Sequence, residues 1–272
     1  MTESFFSPGS VIWRVDREMA LLLAGGRALL MQIAHPKVGA GVAEHSHFQK
    51  DPLRRLRHTM NTMWSVVFDD AEQARQSLQR VKEIHRTVQG RMAESEGKLA
   101  GLPYSALDPQ LLLWVHATLV DSALLAYEKF VAPLPLADKL QYYEETKRLA
   151  TLFDVPPGDI PPSLDHFRAY MEQMLNGPEI CVTATVRLLA RDILHPQPLL
   201  LRPSAPLFSF ITTGLLPASL REAYHLPWDE QKEKWLHRLA LLIKTLLPCV
   251  PPVLRFAPHA RAARRRLKRM RP

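Results

Sequence analysis

Histidine placement is the first chemical signal in this chain. There are eleven, and several fall inside apolar stretches. His116 sits in the run Leu111-Leu112-Leu113-Trp114-Val115-His116-Ala117-Thr118-Leu119-Val120. Leu112, Leu113, Leu119, Val120 and Ala123 stand three, four or seven positions away, so they share its helical face and turn it toward the core. A buried imidazole needs partners for both nitrogens. Two arrangements supply them. One is a metal on one nitrogen and a hydrogen bond on the other; the other is hydrogen bonding within the core alone.

A second cluster is Arg54-Arg55-Leu56-Arg57-His58-Thr59. Arg55, His58 and Thr59 share one helix face. A guanidinium, an imidazole and a hydroxyl meeting there could bind an anion or polarise bound oxygen; the same residues also read as a solvated basic face. His35, His45, His47 and His85 are the other N-terminal candidates. His45 and His47 with Glu44 could form a metal cluster or a partly exposed turn, and His85 could line a pocket or cap an apolar face. Glu44–His47 and Glu222–His225 have the Glu-x-x-His spacing of di-iron carboxylate bundles, but both fall near helix ends and Pro. His195 and His259 carry no evident role. Two Cys, Cys181 and Cys249, are too few for a disulfide scaffold or a four-thiolate metal site.

The elements that must position these groups are helical. Apolar residues recur mostly at helical spacing, and strand-like alternation is almost absent. Met19–Ile33 predicts an apolar helix broken at His35-Pro36, with Gly25-Gly26 inside it at a position of close approach or tight packing. Asp51-Pro52 and Asp108-Pro109 pair an N-cap residue with Pro at the first helical position. They predict helices to Phe68 and to about Phe130, the second stopped by Pro133 and Pro135. A helix from about 70 to 94 lies between them, followed by a loop with Gly97, Gly101 and Pro103. Further helices are predicted at about 137–152, 163–175, 178–194 and 228–247. The expected fold is all-α, a single globular domain of about ten helices without simple bundle symmetry.

Composition narrows the function. Signatures of phosphate loops, dinucleotide folds, nucleophile elbows and His-Glu-x-x-His zinc sites are missing. The net charge of +8 arises at one end: residues 255–272 hold eight Lys or Arg and no acid, leaving 27 basic against 27 acidic residues in 1–254. Such a tail can hold anionic lipid or nucleic acid, or form a solvated end. The neutral body lacks the basic residues interleaved with aromatics expected of a specific nucleic-acid enzyme. No secretory signal opens the chain, and its longest apolar stretches, near Leu21–Leu23 and 239–251, fall short of the ~20 residues that span a bilayer. A cytoplasmic protein, at most peripheral to a membrane, is expected.

Taken in order, several stretches resemble the DUF2236 family, which contains the latex clearing protein (rubber oxygenase) and the MpaB-type oxygenase. They are Ala28–Pro36, Asp51–Thr59, Val66-Val67-Phe68, Ile84–Gly90, Tyr104–Pro109 and Leu113–Leu119, with Tyr142-Tyr143-Glu144 and Ile160-Pro161-Pro162. The resemblance implies an oxygenase domain over residues 1–254, followed by the basic tail 255–272. It also implies a non-covalent haem b held by an axial His, with O2 as co-substrate. Arg55-x-x-His58-Thr59 looks like the family's distal Arg-x-x-Lys-Thr motif with His in place of Lys, so His58 could bind iron or donate a hydrogen bond. The carried-over axial ligand is His116, with His85 second; Arg55, His58 and Thr59 become the catalytic set. The implied substrate is a small hydrophobic alkene or isoprenoid, with Met60, Met63 and Trp64 as a possible apolar wall. Two other readings stand beside this one: a haem protein without oxygenase turnover, and a cofactor-free helical protein that sits on anionic membranes.

Overall fold

Asp108 starts the longest helix by a local device. Its carboxylate accepts from the Gln110 N–H, while Pro109 occupies the first turn, where no N–H is needed. Asp70, Ser163, Thr183 and Asp229 cap four other helices in the same way. The computed structural model describes residues 4–45, 52–195 and 205–269, with the side chains of 52–57 and 94–95 outside that description.

Among the described residues there are fourteen α-helices. They are α1 (Val11–Asp16), α2 (Gly25–Ile33), α3 (Pro36–His45), α4 (Pro52–Phe68), α5 (Ala71–Thr87), α6 (Pro109–Phe130) and α7 (Leu136–Leu152). There follow α8 (Leu164–Asn176), α9 (Ala184–Leu194), α10 (Ala205–Leu215), α11 (Ala218–Ala223), α12 (Glu230–Leu246), α13 (Pro252–Arg255) and α14 (Pro258–Arg269). The fold is all-α and a single domain, as expected from the periodicity.

Three local expectations are revised. The helix predicted to Glu94 ends at Thr87. Strand β1 (Gln89–Arg91) then pairs antiparallel with β2 (Pro103–Ser105). Gly90 permits this, because a Cβ there would lie 2.6 Å from the Tyr104 hydroxyl. The apolar run Met19–Ile33 divides into a 3-10 turn, Met19–Ala24, and α2. Its Gly26 lies under α10, where a Cβ would fall 2.8 Å from the Phe208 ring and still closer to Thr212 Oγ1, so tight helix packing explains the glycine. The helix expected at 178–194 begins only after Thr183.

The core gathers around α6, which packs against the Met19–Ala24 turn, α2, α7 and α12. Trp114 is fully buried, and its indole N–H faces the Met31 and Gln32 carbonyls at 3.2 and 3.3 Å, at the end of α2. Arg27 on α2 reaches the same core. Its guanidinium donates to the Leu215 carbonyl, Ser122 Oγ and Asp121 Oδ2 at 2.8, 2.6 and 2.5 Å, tying α2, α6 and α10 together. By length and composition α6 is also long and apolar enough to cross a membrane, but 61% of its apolar window is buried in the fold. That burial is what a core helix shows.

The basic C-terminal end is helical and docked instead of free in solvent. Arg255 forms a fork onto Glu18, at 2.9 and 3.0 Å, and Glu18 is only 3% exposed. Ala257 N–H donates to the Arg17 carbonyl at 2.8 Å. Ala260 and Ala263, three apart, are buried as α14 lies along α4. Arg266 donates to the Phe68 carbonyl at 3.0 Å, satisfying an orphan acceptor at the negative end of α4.

Candidate functional site

The end of α3, α4, α5, the β1–β2 hairpin and α6 enclose a cavity of about 1160 Å³. That exceeds the roughly 300–1,000 Å³ usual for small-molecule sites. Its wall is mostly apolar, with Met63, Leu112, Val115, Leu119 and Phe153 among its residues. Of the sequence-selected residues, His58, Thr59, His85 and His116 all border this space. Arg55 belongs to α4, but its side chain lies outside the described residues. His47 also lies outside them.

The histidines differ in environment. His116 is buried on the inner face of α6, and burial pushes its imidazole down to about 4. A hydrogen bond to the Thr146 backbone on α7 offsets part of that effect. Thr146 is itself fixed, its hydroxyl donating to the Tyr143 carbonyl at 2.8 Å. His116 is thus held neutral, with one interaction to backbone and a face on the cavity. His85 on α5 is half-buried, and desolvation lowers it too, against a weaker opposing pull from Asp154. His58 and Thr59 are exposed at the cavity edge. His35 does not reach the cavity, and its Nδ1 is buried without a hydrogen-bond partner among the described residues. Of the expected apolar wall on α4, Met63 borders the cavity, while Trp64 and Met60 pack into the core.

Two groups on the wall escaped the sequence reading. His259 arrives from α14, with its Nδ1 2.9 Å from Asp69 Oδ2 and its ring 6.2 Å from that of Trp64. No local pattern joins His259 to Asp69, because 190 positions separate them. On the opposite wall the Tyr104 hydroxyl donates to Glu44 at 2.5 Å and lies 3.1 Å from His45 Nε2. Burial and the Glu44 carboxylate both raise the Tyr104 phenol, which stays protonated. Its Tyr-Ser-Ala-Leu-Asp-Pro context was visible, and so were Glu44 and His45 as a candidate cluster, but not that the hydroxyl meets them. Among the described residues no three of His, Cys, Asp and Glu converge as a metal cage.

The burial of His116 has a measurable consequence. The unfolded imidazole titrates near 6.5, so between about pH 6.5 and 4 the unfolded chain takes up a proton that the folded chain refuses. The stability owed to the neutral ring is complete above about pH 6.5 and is lost as pH falls toward about 4, by on the order of 3 kcal/mol. Ligand-free protein should therefore lose that much more stability than a His116→Asn variant between about pH 7.5 and 4 in urea unfolding. Parallel pH profiles would show that the ring is not desolvated.

Comparison with known proteins follows this geometry. Residues 13–245 match the family described as the catalytic domain of the ER-bound oxygenase mpaB/B′ and of rubber oxygenase. The chain belongs to this family. The match spans α1 to the last turn of α12 and takes in every cavity-lining residue except His259. Uncharacterized protein Rv2237 of Mycobacterium tuberculosis is 30% identical over 230 residues, covering 81% of this chain and 87% of its own. Uncharacterized protein Mb2261 of Mycobacterium bovis shows the same identity and coverage. No solved structure matches significantly. Family membership assigns an oxygenase catalytic domain to this all-α fold.

Proposed function

We propose that this chain is a haem-dependent oxygenase acting with O2 on a small hydrophobic alkene or isoprenoid. One observation carries the reading: a buried, neutral imidazole, His116, opens on a large apolar-walled cavity in an oxygenase domain. The residues present fit a haem. A macrocycle brings its own equatorial nitrogens, so one side chain suffices where no three-residue metal cage exists among the described residues. A neutral imidazole steadied by a backbone hydrogen bond is the form in which a histidine would hold the iron.

When bound, haem would supply the iron at which O2 is activated for oxidation of a carbon–carbon double bond. The chain's own side chains do the rest. His116 would hold the haem iron, and its hydrogen bond to the Thr146 backbone would orient the ring. His58 and Thr59 on α4, at the cavity edge, would offer hydrogen-bond donors to negative charge developing on oxygen, and Arg55 stands one turn earlier on the same helix. Met63, Leu112, Leu119 and Phe153 line the space with apolar surface that favours a hydrocarbon and excludes water. His85, whose imidazole burial also lowers, stands on the same wall.

The test is an absorption spectrum of the chain expressed with ample haem, beside His116→Ala and His85→Ala. The wild type should show a Soret band, and His116→Ala should lose it or change its spin state. Loss in His85→Ala alone would move the axial role to His85 and leave the rest of the reading in place. A wild type that takes up no haem overturns the proposal. O2 uptake with an isoprenoid alkene then tests turnover: the haem-loaded wild type should consume O2, and Thr59→Val should slow it by about 10²-fold.

A further inference from the structure

The outer face of α12 carries large apolar side chains that no described residue covers. Trp235, Leu242 and Leu246 are 53–55% exposed. At 3.6 residues per turn their spacing places them in one stripe along the helix. The opposite stripe, Leu236, Ala240 and Leu247, is buried in the core. Beyond Leu246 the chain turns into α13, none of whose residues is buried; its Val253 and Leu254 are 57% and 68% exposed. Exposed apolar side chains thus stand on both α12 and α13. Scattered exposed leucines are ordinary, but a stripe of large apolar side chains along one helix face marks an interaction surface.

The next element is strongly cationic. Arg264, Arg265, Lys268 and Arg269 of α14 are exposed, and none has an ion-pair partner among the described residues. Arg255 and Arg266 are already used in docking the helix. Arg238 lies over the Trp235 ring at 5.4 Å, joining a cation to the aromatic end of the ridge. Apolar side chains, a tryptophan and adjoining unpaired cations match the chemistry of an anionic bilayer surface, where the hydrocarbon enters the headgroup boundary and the cations meet lipid phosphates. A second copy of the chain fits poorly. Acidic residues at the start of α12 are already engaged, Asp229 with Lys232, Glu230 with Lys234 and Glu233 with Lys129, so α14 of another copy would meet no free carboxylate there.

We infer that the ridge Trp235–Leu242–Leu246–Val253–Leu254, with the exposed cations of α14, docks this protein onto anionic lipid bilayers. None of these side chains lines the cavity, and the test does not depend on haem.

The experiment is vesicle flotation of the full chain, with phosphatidylcholine alone and with phosphatidylcholine containing phosphatidylglycerol, at low and high salt. Binding should require the anionic lipid and weaken with salt. Leu246→Ser/Leu254→Ser and Arg264→Glu/Arg265→Glu should each weaken it at least tenfold while keeping the wild-type melting temperature. Trp235→Phe should remove the fluorescence blue shift that accompanies binding. Absence of binding at low salt, or binding untouched by the leucine pair, overturns the inference. So does a dimer in light scattering that the leucine pair dissociates, since a second copy would then cover the ridge.

Discussion

Arg27→Ala should destabilise the protein by about 3 kcal/mol, chiefly because it strands buried hydrogen-bond acceptors, the partly exposed Asp121 adding less. Arg27 is 5% exposed and makes three short hydrogen bonds, two to α6 and one to the end of α10. Its removal leaves the Leu215 carbonyl and Ser122 Oγ buried without partners and opens a cavity beside α6. Arg27→Lys should recover little, since a single ammonium cannot reproduce the fork. Arg14→Ala is the control: its bridge to Asp138 has the same 2.5 Å separation, but the two side chains are 43% and 26% exposed. Exposure should hold its effect below about 1 kcal/mol. Urea unfolding of the three variants measures the contrast, and equal losses for Arg27→Ala and Arg14→Ala would contradict the role given to burial.

Arg255→Ala should bring a loss of similar size, about 3–5 kcal/mol, by a different route. Glu18 is nearly inaccessible and would keep only Arg17, whose Nε lies 3.7 Å away. The expected result is a large fall in melting temperature, most of which Glu18→Gln restores in the double variant because it removes the stranded charge. Without that restoration, the loss would come from the detachment of α13 and α14 and not from Glu18. Detachment has its own signature, since His259 would leave the cavity wall and Asp69 would lose its imidazole partner.

These two clusters show what sequence alone conveyed. The start of α6 was legible because Asp108 and Pro109 act within one turn. The inward direction of His116 was legible because helical periodicity assigns faces. The all-α fold follows from the same periodicity. The end of α5 was not, because it depends on Gly90 admitting the Tyr104 hydroxyl from another strand. The docking of α14 was hidden for a similar reason: a run of arginines looks the same whether it faces water or caps the carbonyls of a helix remote in sequence. At the cavity, His58, Thr59, His85 and His116 were found by residue type and spacing. His259 and Asp69 were not, because only the folded chain brings them together.

The Arg255–Glu18 clasp also sets an order of events during synthesis. Its two halves are 237 positions apart, which at about 5–20 residues per second is roughly 12–47 s of translation. Throughout that interval the nascent chain carries a carboxylate whose partner has not yet been made. The surroundings of Glu18 therefore close only once Arg255 has been made. A chain that stops short of residue 255 keeps a buried acid without its fork, and its stability should fall as in Arg255→Ala.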